Sequence, residues 1–260
     1  MLGLAWSFIK LIITNWLIGK IYMRYSRHAL GYWLGYLALL PLFPLIVWQG
    51  KQVKRNTVRL PEAGGERRLG KPGGIELLHL GESTVAGVGV PQIAQGLTGQ
   101  LIHNLNKGEA DYIARVVGKN GATITELNDW AGAFPEPDIL LITMGVNDTT
   151  AFTPLKIWQS QLKTSIDKFS GENTEVLFTS VPAMHQFPAL PKPLSWLLGL
   201  RASQLNLSLM RLCEQNGWQL IEADLPINPE WMAVDGYHPN EQGYAQWAGL
   251  IAEKISARFF

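Results

Sequence analysis

Five short apolar runs recur from residue 75 onward: Ile75 to Leu80, Tyr112 to Val117, Ile139 to Met144, Val176 to Val181 and Trp218 to Ile221. Each has strand length and is mainly apolar rather than alternating, which is the pattern of a strand buried on both faces. Between them apolar residues return at helical spacing, as in Ile93, Leu97, Leu101 and Leu105, in Leu155, Trp158, Leu162, Ile166 and Phe169, and in Leu205, Leu209 and Leu212. A final helix carries Tyr244, Trp247, Ile251 and Ile255. Thr153 followed by Pro154 predicts a helix start, with the hydroxyl as N-cap and proline in the first helical position. Strands and helices that alternate in this way predict an α/β fold, a five-stranded parallel sheet covered by helices on both faces. Ligands of such sheets bind beyond the C-terminal strand ends.

Chemistry-bearing residues cluster at those ends. The first run continues as His79–Leu80–Gly81–Glu82–Ser83 and delivers a serine just past a glycine turn. Asn120–Gly121 follows the second run, Gly145–Val146–Asn147–Asp148 follows the third, and Asp235–Gly236–Tyr237–His238 precedes the last helix. A serine hydroxyl attacks a carbonyl only when a base takes its proton and donors hold the oxyanion that forms. His238 is the candidate base, with an imidazole that titrates near neutrality. Asp235, three residues earlier, is the candidate to orient it. Each group has a structural reading as well: Ser83 as a helix N-cap, Gly121 and Asn147 as turn residues, and Asp235 as a local cap. Asp148 suits either the orientation of Asn147 or the capping of the following segment.

The four blocks together resemble the SGNH/GDSL hydrolase family, and the resemblance covers most of residues 75 to 258. It implies a flavodoxin-like three-layer α/β/α sandwich, with Ser83, Asp235 and His238 as catalytic residues. It also implies an oxyanion hole built from the Ser83 and Gly121 backbone amides and the Asn147 side chain. Gly81–Glu82–Ser83 stands where the family usually has Gly-Asp-Ser. The Gly-x-Ser-x-Gly elbow of the α/β-hydrolases does not occur in the chain. His79, His103 and His185 are rival bases, of which His185 lies in a loop. Gly87–Val88–Gly89 is too short a match to a nucleotide loop to use, because Gln92 fills the third glycine position.

The N-terminal part differs in composition. Residues 1–74 carry 11 Lys and Arg against 2 acids, whereas residues 75–260 carry 11 against 19. The acidic main domain gives no footprint for nucleic acid. Residues 29–49 hold no charge, which matches the roughly 20 residues needed to cross a bilayer. Tyr32, Trp33, Tyr36 and Trp48 fit interfacial positions, and Pro41 and Pro44 predict a kink. Leu2 to Ile18 is also apolar but contains Lys10, and reads as an interfacial helix or a second span. The expected organisation is therefore a hydrophobic membrane-associated segment over 1–50, a basic Pro/Gly-rich linker over 51–74 and the hydrolase domain over 75–260. Positive charge flanks the span on both sides, and the denser run after Trp48 favours a catalytic domain on the cytoplasmic side of the inner membrane.

The single cysteine, Cys213, forbids an intrachain disulfide and reads as a small core residue. No further ligand cluster lies near Asp235 and His238 in sequence, so no metal is implied, nor any organic cofactor. Residues 182–200 form a proline-rich apolar insertion placed to wall an acyl pocket or to lean on a membrane. The expected activity is a serine esterase or lipase acting on carboxylic esters of short or medium acyl chains, either small molecules or lipids. Carbohydrate or cell-envelope O-deacetylation, thioester hydrolysis and a non-catalytic tethered binding module are the alternatives.

Overall fold

A computed structural model describes residues 31–130, 134–222 and 227–259. The apolar stretch Leu2 to Ile18 lies outside them. The chain forms two units that part between Leu45 and Ile46. In the first, residues 31–39 are helical, a 3-10 turn occupies Leu40–Leu42, and helix α1 (Phe43–Asn56) begins. Pro44 has no N–H to return to Leu40, and the Phe43 N–H bonds that carbonyl instead, so the α geometry tightens at the two prolines. Trp33, Leu34, Leu37 and Leu40 are all exposed. The helical run Gly31–Asn56 has a mean hydropathy of 1.5 in its most apolar window, and is long and apolar enough to cross a membrane.

The second unit is built on a six-stranded sheet of order β1-β3-β2-β4-β5-β6. Its strands are β1 (Arg68–Gly70), β2 (Ile75–Gly81), β3 (Tyr112–Gly118), β4 (Ile139–Thr143), β5 (Glu175–Thr179) and β6 (Gln219–Ile221). The last five are parallel and coincide with the five apolar runs of the sequence. Their spatial order, with the first strand between the second and the third, is that of doubly wound flavodoxin-like sheets. Side chains alternate between the faces. Leu77, Ala114, Ile139 and Leu141 join a core with helices α2 (Leu97–Leu105) and α7 (Glu241–Phe259), through Leu101, Leu105, Tyr244 and Ile251. Leu78, Leu80, Leu140 and Ile142 are equally buried on the other face. There α3 (Ile124–Trp130), α5 (Leu155–Phe169) and α6 (Leu194–Asn216) pack on one another as the third layer. A short helix, α4 (Val146–Ala151), begins just past the end of β4.

Several local readings change. The helix after Pro154 starts at Leu155 without a side-chain cap, because the Thr153 hydroxyl donates instead to Asp148 Oδ1 at 2.7 Å. The proline-rich insertion is part helix: a 3-10 turn spans Met184–Gln186, and α6 begins at Leu194. Of residues 51–74, whose composition reads as a flexible linker, 51–56 lie in α1 and several of the rest are hydrogen-bonded along the unit. Ala63 N donates to Ala86 O, Ile93 N to Gly64 O and Val116 N to Arg67 O. β1 then pairs antiparallel with β3 and satisfies what would otherwise be an open edge. Three residues are too short a signal for a periodic reading to find.

Gly81 ends the central strand in register with Gly118 on one side and Thr143 on the other. A Cβ there would lie 2.3 Å from Val85 Cγ2 and 2.5 Å from the Thr143 carbonyl oxygen. The backbone can turn into the serine loop only because no side chain is present. Gly81→Ala is expected to destabilise the domain by about 3 kcal/mol through overpacking against fixed backbone. Thermal unfolding in detergent checks this, and an unchanged midpoint would contradict the close approach.

Candidate active site

The serine loop leaves β2, the Asn120–Gly121 turn leaves β3, and α4 follows β4, so adjacent parallel strands bring three of the four blocks to one edge. The fourth arrives from the C-terminal side. Asp235 Oδ1 accepts from the Tyr237 and His238 amides at 2.9 and 3.1 Å, folding residues 235–238 into a tight Asx-type turn. Its other oxygen, Oδ2, lies 2.6 Å from His238 Nδ1. On the far side of the ring, His238 Nε2 lies 2.8 Å from Ser83 Oγ. One carboxylate oxygen of Asp235 thus serves the local turn and the other faces the His238 ring. Tyr244 on α7, the helix that follows this loop, holds the serine loop through a buried bond from its hydroxyl to Val88 O at 2.6 Å.

Burial alone would raise the Asp235 carboxyl. The hydrogen bonds from the His238 ring and the Tyr237 and His238 amides outweigh it and hold the group below the usual carboxylate range. Its side chain is 1% exposed and that of His238 20%, so the acid is sheltered while the imidazole faces the site.

The rival histidines do not reach Ser83. His79 is fully buried inside the sheet, between Thr98 Oγ1 at 2.8 Å and Thr143 Oγ1 at 2.9 Å, and burial pushes its pKa down to about 3. His103 is exposed on α2. His185 sits on the 3-10 turn against Gly199 of α6. Among the described residues, no cluster of three or more His, Cys, Asp or Glu side chains is placed to hold a metal ion.

Two buried carboxylates organise the remaining loops. Glu82, 3% exposed, extends both oxygens to the start of α4, accepting from Val146 N at 2.8 Å and Asn147 N at 2.9 Å. The extra methylene relative to aspartate does not keep this residue from the Asn147 loop. Burial pushes its pKa up to about 7 despite those amides. Asp148, fully buried, accepts from Ile124 N at 3.0 Å and from the Thr153 hydroxyl, and therefore ties α4 to the segment after Gly121. Burial raises its pKa too. Of the two roles left open for Asp148, the contact to the following segment is seen at Thr153 as a side-chain bond rather than a helix cap, and the Asn147 side chain bonds Ala122 O instead of Asp148.

Gly121 has φ of +80°, a left-handed conformation that suits glycine. The Asn147 side chain donates from Nδ2 to Ala122 O at 3.0 Å, which uses one of the two hydrogens of its amide. Glu62, within the stretch that reads as a linker, accepts from Asn120 N at 2.7 Å and braces this turn. Nothing in the sequence around Glu62 distinguishes it from other surface acids.

Residues 79–246 match the GDSL-like Lipase/Acylhydrolase family. Among solved structures, a lipase/acylhydrolase from Enterococcus faecalis aligns with a TM-score of 0.58 at 19% identity, over 70% of this chain and 96% of that one. The psychrotrophic esterase EstA from Pseudoalteromonas sp., in a structure inhibited by monoethylphosphonate, aligns with 0.55 at 19% over 71% and 98%. A Clostridium thermocellum family 3 carbohydrate esterase aligns with 0.55 at 17% over 70% and 96%. At these identities the likeness is one of fold. No curated protein sequence matches the chain.

Because the native state holds the Glu82 proton up to about pH 7 while an unfolded glutamate releases it near 4.5, stability is expected to fall as pH rises between those values. In Glu82→Gln that contribution to the slope disappears. The new amide also points a donor at backbone N–H groups, at a cost of about 1–3 kcal/mol. Unfolding midpoints of both proteins between pH 4.5 and 7.5 check this. Parallel pH profiles would contradict the assigned protonation.

Proposed function

The chain belongs to the GDSL-like lipase/acylhydrolase family, and from that membership we propose that it is a serine hydrolase of carboxylic esters with short or medium acyl chains, working through Ser83, His238 and Asp235. The carrying observation is the continuous run of short contacts from Asp235 Oδ2 through the His238 ring to Ser83 Oγ. In this reading His238 Nδ1–H donates to the ionised Asp235, which leaves Nε2 as the acceptor of the Ser83 proton. The Ser83 oxygen attacks the ester carbonyl carbon and the carbonyl π electrons move onto oxygen. The resulting oxyanion is held by the Ser83 and Gly121 amides and the second hydrogen of the Asn147 carboxamide.

Collapse of the tetrahedral intermediate expels the alcohol, which takes its proton from the His238 imidazolium, and an acyl-enzyme remains on Ser83. Water then enters and gives its proton to His238, and a second collapse releases the carboxylic acid and restores the serine. The depressed Asp235 pKa suits this cycle, because the acid stays ionised while the imidazole beside it becomes cationic. Glu82 and Asp148 act through backbone as positioning residues for Asn147 and the Gly121 turn.

Labelling of the purified full-length protein by a fluorophosphonate probe, alongside p-nitrophenyl acetate and octanoate turnover, tests the assignment. Ser83→Ala and His238→Ala are each expected to abolish labelling and to lower kcat about 10⁴-fold or more. Asn147→Ala should lower kcat about 10²–10³-fold with little change in KM, because its hydrogen bond forms in the transition state. A folded wild-type protein that neither labels nor turns over either ester would favour the non-catalytic binding reading instead.

A further inference from the structure

From Ile46 onward, helix α1 belongs to the same unit as the catalytic loops. Gln49, only 8% exposed, fastens it there: Nε2 donates to Lys192 O at 2.8 Å and Oε1 accepts from Leu194 N at 3.1 Å. One side-chain amide thus satisfies a backbone carbonyl and a backbone N–H at the entrance to α6. A polar group buried with both partners in place specifies position more than it adds stability. Beside this clamp opens a cleft of about 460 Å³, within the size range of small-molecule pockets. Trp48, Val53 and Val58 form one wall and Pro191, Val234 and Tyr237 contribute another, with Asp235 at its margin.

Exposed apolar side chains stand on this cleft beside the polar Gln52, Asn56 and Thr57. Trp48 is 57% exposed, Val58 56% and Val234 86%. Val234 adjoins the buried Asp235 in sequence and covers nothing in the fold. An apolar side chain that projects from the catalytic loop without a partner suggests a surface that is covered in use.

The sequence indicates what covers it. Of the uncharged residues 29–49, residues 31–49 form a helical run about 28 Å long, close to the thickness of a bilayer core. That register sets Trp48 at the lipid–water interface, where tryptophan concentrates, and Lys51, Lys54 and Arg55 among the headgroups. One wall of the cleft begins at Trp48 itself. We propose that the rim formed by Trp48, Val58 and Val234 docks on the surface of the lipid bilayer, with the cleft open towards it. Joined to the serine-hydrolase reading above, this makes an ester carried by a bilayer lipid the substrate class. The docking itself does not depend on catalysis.

The test follows one reporter on the rim and one at the opposite end of the sheet. Cys213 is buried and its thiol is pushed up to about 12, so a new surface cysteine takes a maleimide selectively. Val234→Cys and, in the exposed loop entering β3, Glu109→Cys are labelled with NBD in the full-length chain and reconstituted into phosphatidylcholine/phosphatidylglycerol vesicles. With phosphatidylcholine spin-labelled at the 5-position of its acyl chain, emission at position 234 is expected to shift to the blue and to be quenched at least twofold more than at 109. Equal quenching at the two positions overturns the proposal. A blue shift at 234 without lipid quenching overturns it as well, and identifies a protein surface as the cover. Fluorophosphonate labelling of the same wild-type vesicles reports separately on the hydrolase reading, so the two can fail independently.

Discussion

The site depends on one constraint of backbone register, the parallel pairing of the central strand with a neighbour on each side. Gly81 is level with Gly118 and with Thr143, so all three chains run out of sheet at the same height and their loops must share one surface. Pairing of this kind is specified by burial. A one-residue slip would exchange the faces of every side chain along β2, and Leu77 to Leu80 are buried on both faces. The strand core therefore determines which loops meet, and the chemistry inherits its precision from the hydrophobic sheet.

Meeting at one edge does not hold loops in place, and here the structure uses buried carboxyl groups. Glu82 spans from the serine loop to the first amides of α4, and Asp148 spans from α4 to Ile124. Both carboxyls are raised by burial, the usual response of an acid removed from water. Asp235 moves the opposite way because three donors converge on it. The site thus contains two acids that hold backbone and one that is kept anionic beside an imidazole. Their surroundings divide the roles, since all three are carboxyl groups among the same few loops.

The four parallel strands of five residues or more and the longer amphipathic helices were legible in the sequence because such patterns survive tertiary context, and the three-residue β6 because Trp218, Leu220 and Ile221 follow a helix. The four blocks were legible because each lies just beyond an apolar run or just before the last helix. What escaped was stabilised from a distance. β1 is three residues long and exists because β3 needs an edge partner. The Thr153 hydroxyl, well placed in sequence to cap α5, is claimed by Asp148 five residues earlier. Glu62 braces the Gly121 turn across 58 residues of sequence, and Gln49 reaches Lys192 across 143. Hydrogen bonds at such separations leave no local pattern to read.

Those last two contacts change what the N-terminal region does. A flexible tether would only raise the local concentration of a domain near its attachment point and leave its orientation free. Residues 46–70 are instead engaged by the catalytic unit at successive points: Gln49 at the entrance to α6, Glu62 at Asn120, Ala63 at Ala86 and β1 along β3. Two of these points, Asn120 and Ala86, lie in the loops that carry Gly121 and Ser83. Strain entering through α1 would reach the proposed oxyanion and nucleophile loops through hydrogen bonds rather than through slack chain. Residues 46–70, which composition assigns to the basic N-terminal part, are in their bonding a part of the catalytic unit.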